Sequence, residues 1–76
     1  MQLNDITTWE EFQKIIKEKY PKVKITELTI EFSYDLLYFE FFKDGNVFIQ
    51  EYEEGVYIPN VGYQKMLLLF EALYRE

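Results

Sequence analysis

Residues 36–53 constrain this chain more than any other stretch: Leu-Leu-Tyr-Phe-Glu-Phe-Phe-Lys-Asp-Gly-Asn-Val-Phe-Ile-Gln-Glu-Tyr-Glu. Two aromatic-rich runs flank Asp44-Gly45. A two-residue type I′ loop needs φ > 0 at both central positions, and Asp followed by Gly meets that need at little cost. Such a loop pairs residues whose numbers sum to 89, so Phe41 faces Phe48, Phe39 faces Gln50 and Leu37 faces Tyr52. Side chains alternate across a strand, so this register sorts the middle of the chain onto two faces.

Upstream, Val23–Phe32 is β-branched and alternating, but its phase slips: Val23 and Ile25 are odd, whereas Leu28, Ile30 and Phe32 are even. A bulge or bend near Thr26-Glu27 accounts for the slip and leaves a strand over 27–33. If Tyr34-Asp35 is also a two-residue turn, the first two strands pair on a sum of 69. The two registers then agree on one apolar face of Leu28, Ile30, Phe32, Leu37, Phe39, Phe41, Phe48 and Tyr52, with Gln50 the only misfit. Glu54-Gly55 reads as a further turn, and Val56-Tyr57-Ile58 as a possible short fourth strand.

Helices flank the strands. Thr8-Trp9-Glu10-Glu11 fits a capping box, with Thr7 and Glu10 an equally spaced alternative. Trp9, Phe12, Ile15, Ile16 and Tyr20 follow at helical spacing, and Pro21 closes a helix over residues 8–20. Asn60 is a suitable N-cap for a second helix whose stripe is Tyr63, Met66, Leu67, Phe70, Leu73 and Tyr74. The expected fold is α+β in two layers. An antiparallel three-stranded meander, with a possible short fourth strand, carries an N-terminal and a C-terminal helix packed on one face. Residues 1–76 make a single α-β-β-β-α domain.

Composition bounds the chemistry. There is no Cys and no His, so thiolate chemistry, a disulfide framework and the usual acid–base residue are all missing. The apolar core must supply the stability, and seven Phe, seven Tyr and one Trp provide large side chains for it. The net charge is −6, and it resides in one region: residues 25–58 hold eight acids against Lys43 alone. An acidic sheet region argues against direct nucleic-acid binding, which rests on clustered basic residues. Met1–Asp5 has no basic, apolar leader pattern and no segment is apolar for about 18 residues, so a cytosolic, membrane-free protein is expected.

The polar face of the meander is the candidate site. By the registers above it gathers Glu27, Glu31, Tyr38, Glu40, Phe42, Ile49, Glu51 and Glu53, with Val47 among them. One reading is a solvated strand face with scattered apolar residues. The other is a partner-binding face, since a contiguous apolar patch rimmed by carboxylates often marks an interaction site. Glu31 and Glu51 flank Tyr38, but a carboxylate pair needs a concave, desolvated setting to separate its pKa values, and a meander face offers none. No calcium-loop spacing joins Asp44, Glu53 and Glu54, and three isolated glycines make no phosphate cradle. No cofactor or metal is implied, and an enzyme is not expected.

In size, acidity and lack of catalytic residue types, the chain resembles small phage-encoded antagonists such as uracil-DNA glycosylase inhibitors, anti-restriction proteins and anti-CRISPR proteins. That resemblance implies a non-enzymatic inhibitor that sets its acidic, aromatic face against a basic surface of another protein, such as a nucleic-acid-binding enzyme. Two alternatives stay open. One is a structural or homo-oligomerising accessory protein, dimerising through a sheet edge or the C-terminal helix. The other is a toxin-neutralising immunity protein.

Overall fold

The computed structural model describes residues 6–75. The leader expectation at Met1–Asp5 lies outside the described residues. In chain order the elements are α1 (Trp9–Lys19), β1 (Lys24–Ile25), β2 (Thr29–Tyr34), β3 (Leu37–Phe42), β4 (Val47–Glu51), β5 (Glu54–Ile58) and α2 (Tyr63–Leu73). The fold is α+β. Its sheet is an antiparallel meander of five strands in sequential order: the possible fourth strand at Val56–Ile58 is present as part of β5, and β1 adds a fifth that was not expected.

α1 starts where its cap dictates. The Thr8 hydroxyl accepts from the Glu11 amide at 3.1 Å, and the Glu11 carboxylate reaches back to the Thr7 amide at 3.1 Å. The reciprocal bond of the capping box thus lands one residue beyond the cap. α2 differs from expectation. Its N-cap is Gly62, with no side-chain cap bond, while Asn60 sits in the linker at φ 61°. The Gly45 carbonyl secures that linker by accepting from both Val61 and Gly62 at 2.9 Å.

Each turn corrects a register. Of the bulge or bend expected after Ile25, the structure has a bend, and a sharp one: β1 folds back on β2, placing Ile25 opposite Ile30. The Thr26 hydroxyl holds the connection by accepting from the Thr29 amide at 2.9 Å and the Leu28 amide at 3.2 Å. The β2–β3 turn is Asp35-Leu36 rather than Tyr34-Asp35, so pairs sum to 71 and Phe32 faces Phe39. Asp35 is the residue at positive φ, and a short polar side chain tolerates that conformation better than tyrosine does. A shift of two preserves the faces but leaves Leu28 beyond the strand, 60% exposed.

The central hairpin departs by an odd number, which matters more. Phe42 pairs its backbone with Asn46, and the Gly45 amide donates to the Phe42 carbonyl, so the loop is the three residues Lys43–Gly45 with Gly45 at φ 89°. This is the next commonest hairpin connection after the two-residue loops. Pairs now sum to 88 instead of 89, and every side chain of β4 changes side. Val47 and Ile49 join Phe41 and Phe39, whereas Phe48 and Gln50 turn away. Tyr52, expected in the core, stands in the β4–β5 turn and is 75% exposed. Glu54-Gly55, expected as a turn, lies within β5.

The core is Trp9, Phe12 and Ile16 from α1, Ile30, Phe32, Phe39, Phe41 and Val47 from the sheet, and Met66 and Phe70 from α2. Phe12 and Phe70 both lie against Phe41, at centroid distances of 6.3 and 6.4 Å. Phe32 stacks on Phe39 at 4.8 Å and meets Phe70 edge-on at 5.0 Å. Such pairs add about 1 kcal/mol each beyond their buried area. The Trp9 indole N–H donates to the Glu27 carbonyl at 2.9 Å, and Lys19 meets Glu71 at 2.7 Å, fastening α1 to the sheet and to α2.

Candidate functional site

Alternation along β3 sends Tyr38, Glu40 and Phe42 away from Phe39 and Phe41. The observed pairings extend that side into rows. One row runs Lys24, Glu31, Glu40, Phe48, Tyr57 across all five strands; the next runs Ser33, Tyr38, Gln50, Gly55. Charge gathers at the β1–β3 end and aromatic surface at the β4–β5 end. Phe42 belongs to the aromatic end: its ring centroid lies 6.1 Å from that of Tyr57, and the Asn46 side-chain amide donates to the Tyr57 hydroxyl at 2.6 Å.

One of the two carboxylates on this face is held in place. Glu31 receives the Thr29 hydroxyl at 3.2 Å and lies 3.4 Å from the Lys24 ammonium. Glu31 and Glu40 stand directly opposite one another, an arrangement that Lys24 offsets for Glu31. Burial raises the pKa of the Tyr38 phenol; the charge of Glu40, then hydrogen bonding to Glu31 and the Glu31 charge, raise it further. Tyr38 is therefore a protonated donor at any ordinary pH.

Four of the eight expected site residues come together here: Glu31, Tyr38, Glu40 and Phe42. The other four do not. The odd shift in the central hairpin moves Ile49 and Glu51 to the side of Phe39 and Leu37. Glu27 lies in the β1–β2 connection, where its backbone carbonyl serves Trp9, and Glu53 lies in the β4–β5 turn. The face is thus less acidic and more aromatic than the sequence reading made it.

Phe48 and Tyr57 are the residues that reading missed on this face. A signal for Phe48 was present. Gln50 was the sole polar residue on an otherwise apolar face, and a three-residue loop at Lys43–Gly45 removes the misfit by bringing Val47 and Ile49 inward.

Neither Glu31 nor Glu40 lines the shallow recesses at Leu28, Lys43 and Asp44 or at Glu51–Glu54. Among the described residues, no group of three or more Asp and Glu side chains is placed to hold a metal ion, and no helix is long and apolar enough to cross a membrane. The arrangement presents aromatic area, one phenol donor and two carboxylates, of which Glu31 is held by Thr29 and Lys24. Comparison with known proteins finds no family model that matches the chain, and no curated protein or solved structure that matches it significantly.

Proposed function

We propose that this chain is a small, non-enzymatic protein-binding module that sets its Tyr38 face against a basic surface of a partner protein. The observation that carries this reading is one sheet face that gathers Phe42, Phe48 and Tyr57, with Tyr38 beyond Glu40 on the same strand and Glu31 opposite Glu40. Aromatic residues anchor protein interfaces, and carboxylates beside them steer a basic partner and fix its register. Both helices reach Phe41, which points to the opposite side of β3 from Tyr38; the reading takes them as one layer and the Tyr38 face as the free one. An inhibitor acting in the cytosol on a nucleic-acid-binding enzyme fits these features, because such an enzyme presents a basic groove. An immunity protein directed at a basic toxin uses the same chemistry.

Affinity capture with the wild type and with Tyr38→Ala/Phe42→Ala tests the reading. Loss of a basic partner in the double variant, with the fold intact by circular dichroism, supports it. Equal recovery of the same partners by both proteins removes this face from consideration.

A further inference from the structure

The two edges of the sheet are unlike. β1 is two residues long, a blunt edge. β5 is terminal in the strand order, five residues long, and exposed throughout. Natural edge strands usually carry lysine, inward-pointing charge or a bulge to prevent pairing. From Gly55 to Asn60, β5 and its exit are uncharged: Gly-Val-Tyr-Ile-Pro-Asn.

We propose that the β5 edge pairs antiparallel with the β5 edge of a second copy, with Val56 on the two-fold axis. The backbone sets this register. β4 and β5 are joined by the two-residue turn Tyr52-Glu53, which makes Glu51 and Glu54 a hydrogen-bonded pair. Alternation then gives Ile49 with Val56 and Val47 with Ile58 as bonded pairs. The N–H and C=O groups of Gly55 and Tyr57 consequently point out of the sheet.

Placing Val56 opposite its counterpart sets Gly55 against Tyr57 twice, and all of those groups are satisfied across the dyad. Centring on Tyr57 instead sets Gly55 against Pro59, which has no N–H to give.

The side chains favour the same register. Glu54 opposes Ile58 of the second copy, and the two Glu54 residues stand about 14 Å apart along the strands, beyond the Debye length of about 8 Å at physiological salt. Tyr57 of each copy comes beside the Phe48 ring that covers Gly55 of the other, joining the two aromatic ends. On the opposite side the Val56 pair removes from water a side chain that is 59% exposed in the monomer. The inference does not rest on the proposed function: the backbone register of β5 carries it, although Phe48 and Tyr57 belong to both surfaces.

Sedimentation equilibrium at sub-millimolar protein and moderate salt is expected to give twice the 9.3 kDa chain mass. Val56→Lys places two cations face to face and should weaken the dimer about tenfold or more, whereas Val56→Thr should leave it intact. The chain has no cysteine, so single cysteines report the register. Opposed Val56 Cα atoms stand about 4.5 Å apart, within disulfide reach, and opposed Tyr57 Cα atoms about 8 Å, beyond it. Under air oxidation Val56→Cys should therefore cross-link about tenfold faster than Tyr57→Cys. A monomeric wild type, a dimer indifferent to Val56→Lys, or equal cross-linking at the two positions overturns the proposal.

Discussion

The Phe48 ring lies over Gly55: a Cβ built on Gly55 would come within 2.5 Å of the ring's Cζ and 2.7 Å of its Cε1. Phe48 pairs with Tyr57 and Gln50 with Gly55, so the ring leans diagonally onto the one β5 position without a side chain. Gly55 has an ordinary negative-φ backbone, so its value here is space alone.

Gly55→Ala should cost about 1–2 kcal/mol, because the ring must swing off the strand. In a Phe48→Ala background the same substitution should be neutral or slightly stabilising, since alanine restricts the unfolded chain. Urea denaturation of the four proteins in this cycle measures the coupling. An equal cost in both backgrounds would mean that something other than the ring occupies the space.

Val47 and Leu28 separate the observed sheet from the one expected of two-residue loops throughout. Val47 is fully buried and Leu28 is 60% exposed, the reverse of the expectation. Val47→Ala should lose about 2 kcal/mol, the transfer of two methyl groups plus the cavity they leave. Leu28→Ala should stay within about 0.5 kcal/mol, as surface changes do. Denaturation midpoints that reverse this order would restore the expected sums, 89 for Val47 and 69 for Leu28.

Tyr52 occupies the first central position of the β4–β5 turn at φ 56°, where a type II′ turn prefers glycine. A left-handed conformation costs a non-glycine residue about 1–2 kcal/mol. The exposed phenol forms no compensating bond among those described, and the contact that Gln50 makes to residue 52 is to its backbone carbonyl. Tyr52→Gly should therefore stabilise the protein by about 0.5–1 kcal/mol once the freer unfolded chain is set against the relieved strain. A drop in thermal midpoint would show that the tyrosine ring makes contacts of its own.

The helices, the alternation of β2 and β3 and the existence of the central hairpin were all legible in the sequence, because each rests on local periodicity. Thr8 and Glu11 state where α1 begins, and Leu37, Phe39 and Phe41 state which side of β3 is apolar. Loop length was not legible in the same way. Asp44-Gly45 signals a turn, but a glycine at positive φ serves a two-residue or a three-residue loop equally well, and one residue decides which side Phe48 takes. Gly45 also closes a contact that no local pattern announces, holding the Val61-Gly62 linker through its carbonyl. Tyr52 hid the β4–β5 turn because tyrosine is a poor residue for the conformation it adopts. Ile49 and Glu51 were misplaced by the loop length, and Glu27 and Glu53 because the connections that hold them lie where no strand was interrupted in the expected pattern.

The environment of Tyr38 makes stability depend on alkaline pH. Burial first, then Glu40 and Glu31, hold its phenol protonated in the folded protein to a pH above the ordinary value. In the unfolded chain it ionises near pH 10. Above that pH the unfolded state has shed a proton that the native state keeps, so the slope of stability with pH is negative. The contribution is complete below about pH 10 and is lost as pH rises through the folded-state value. Tyr63, raised by burial and by Glu10 and Asp44, acts in the same direction, as does Lys19 through Glu71. Tyr38→Phe leaves those two groups in place and removes one titration. Between about pH 9 and pH 11, its urea midpoint should therefore fall less steeply than that of the wild type, even though losing the phenol's hydrogen bonds lowers its stability at neutral pH. Parallel slopes for the two proteins would show that Tyr38 ionises alike in both states, and that Glu31 and Glu40 do not confine its proton.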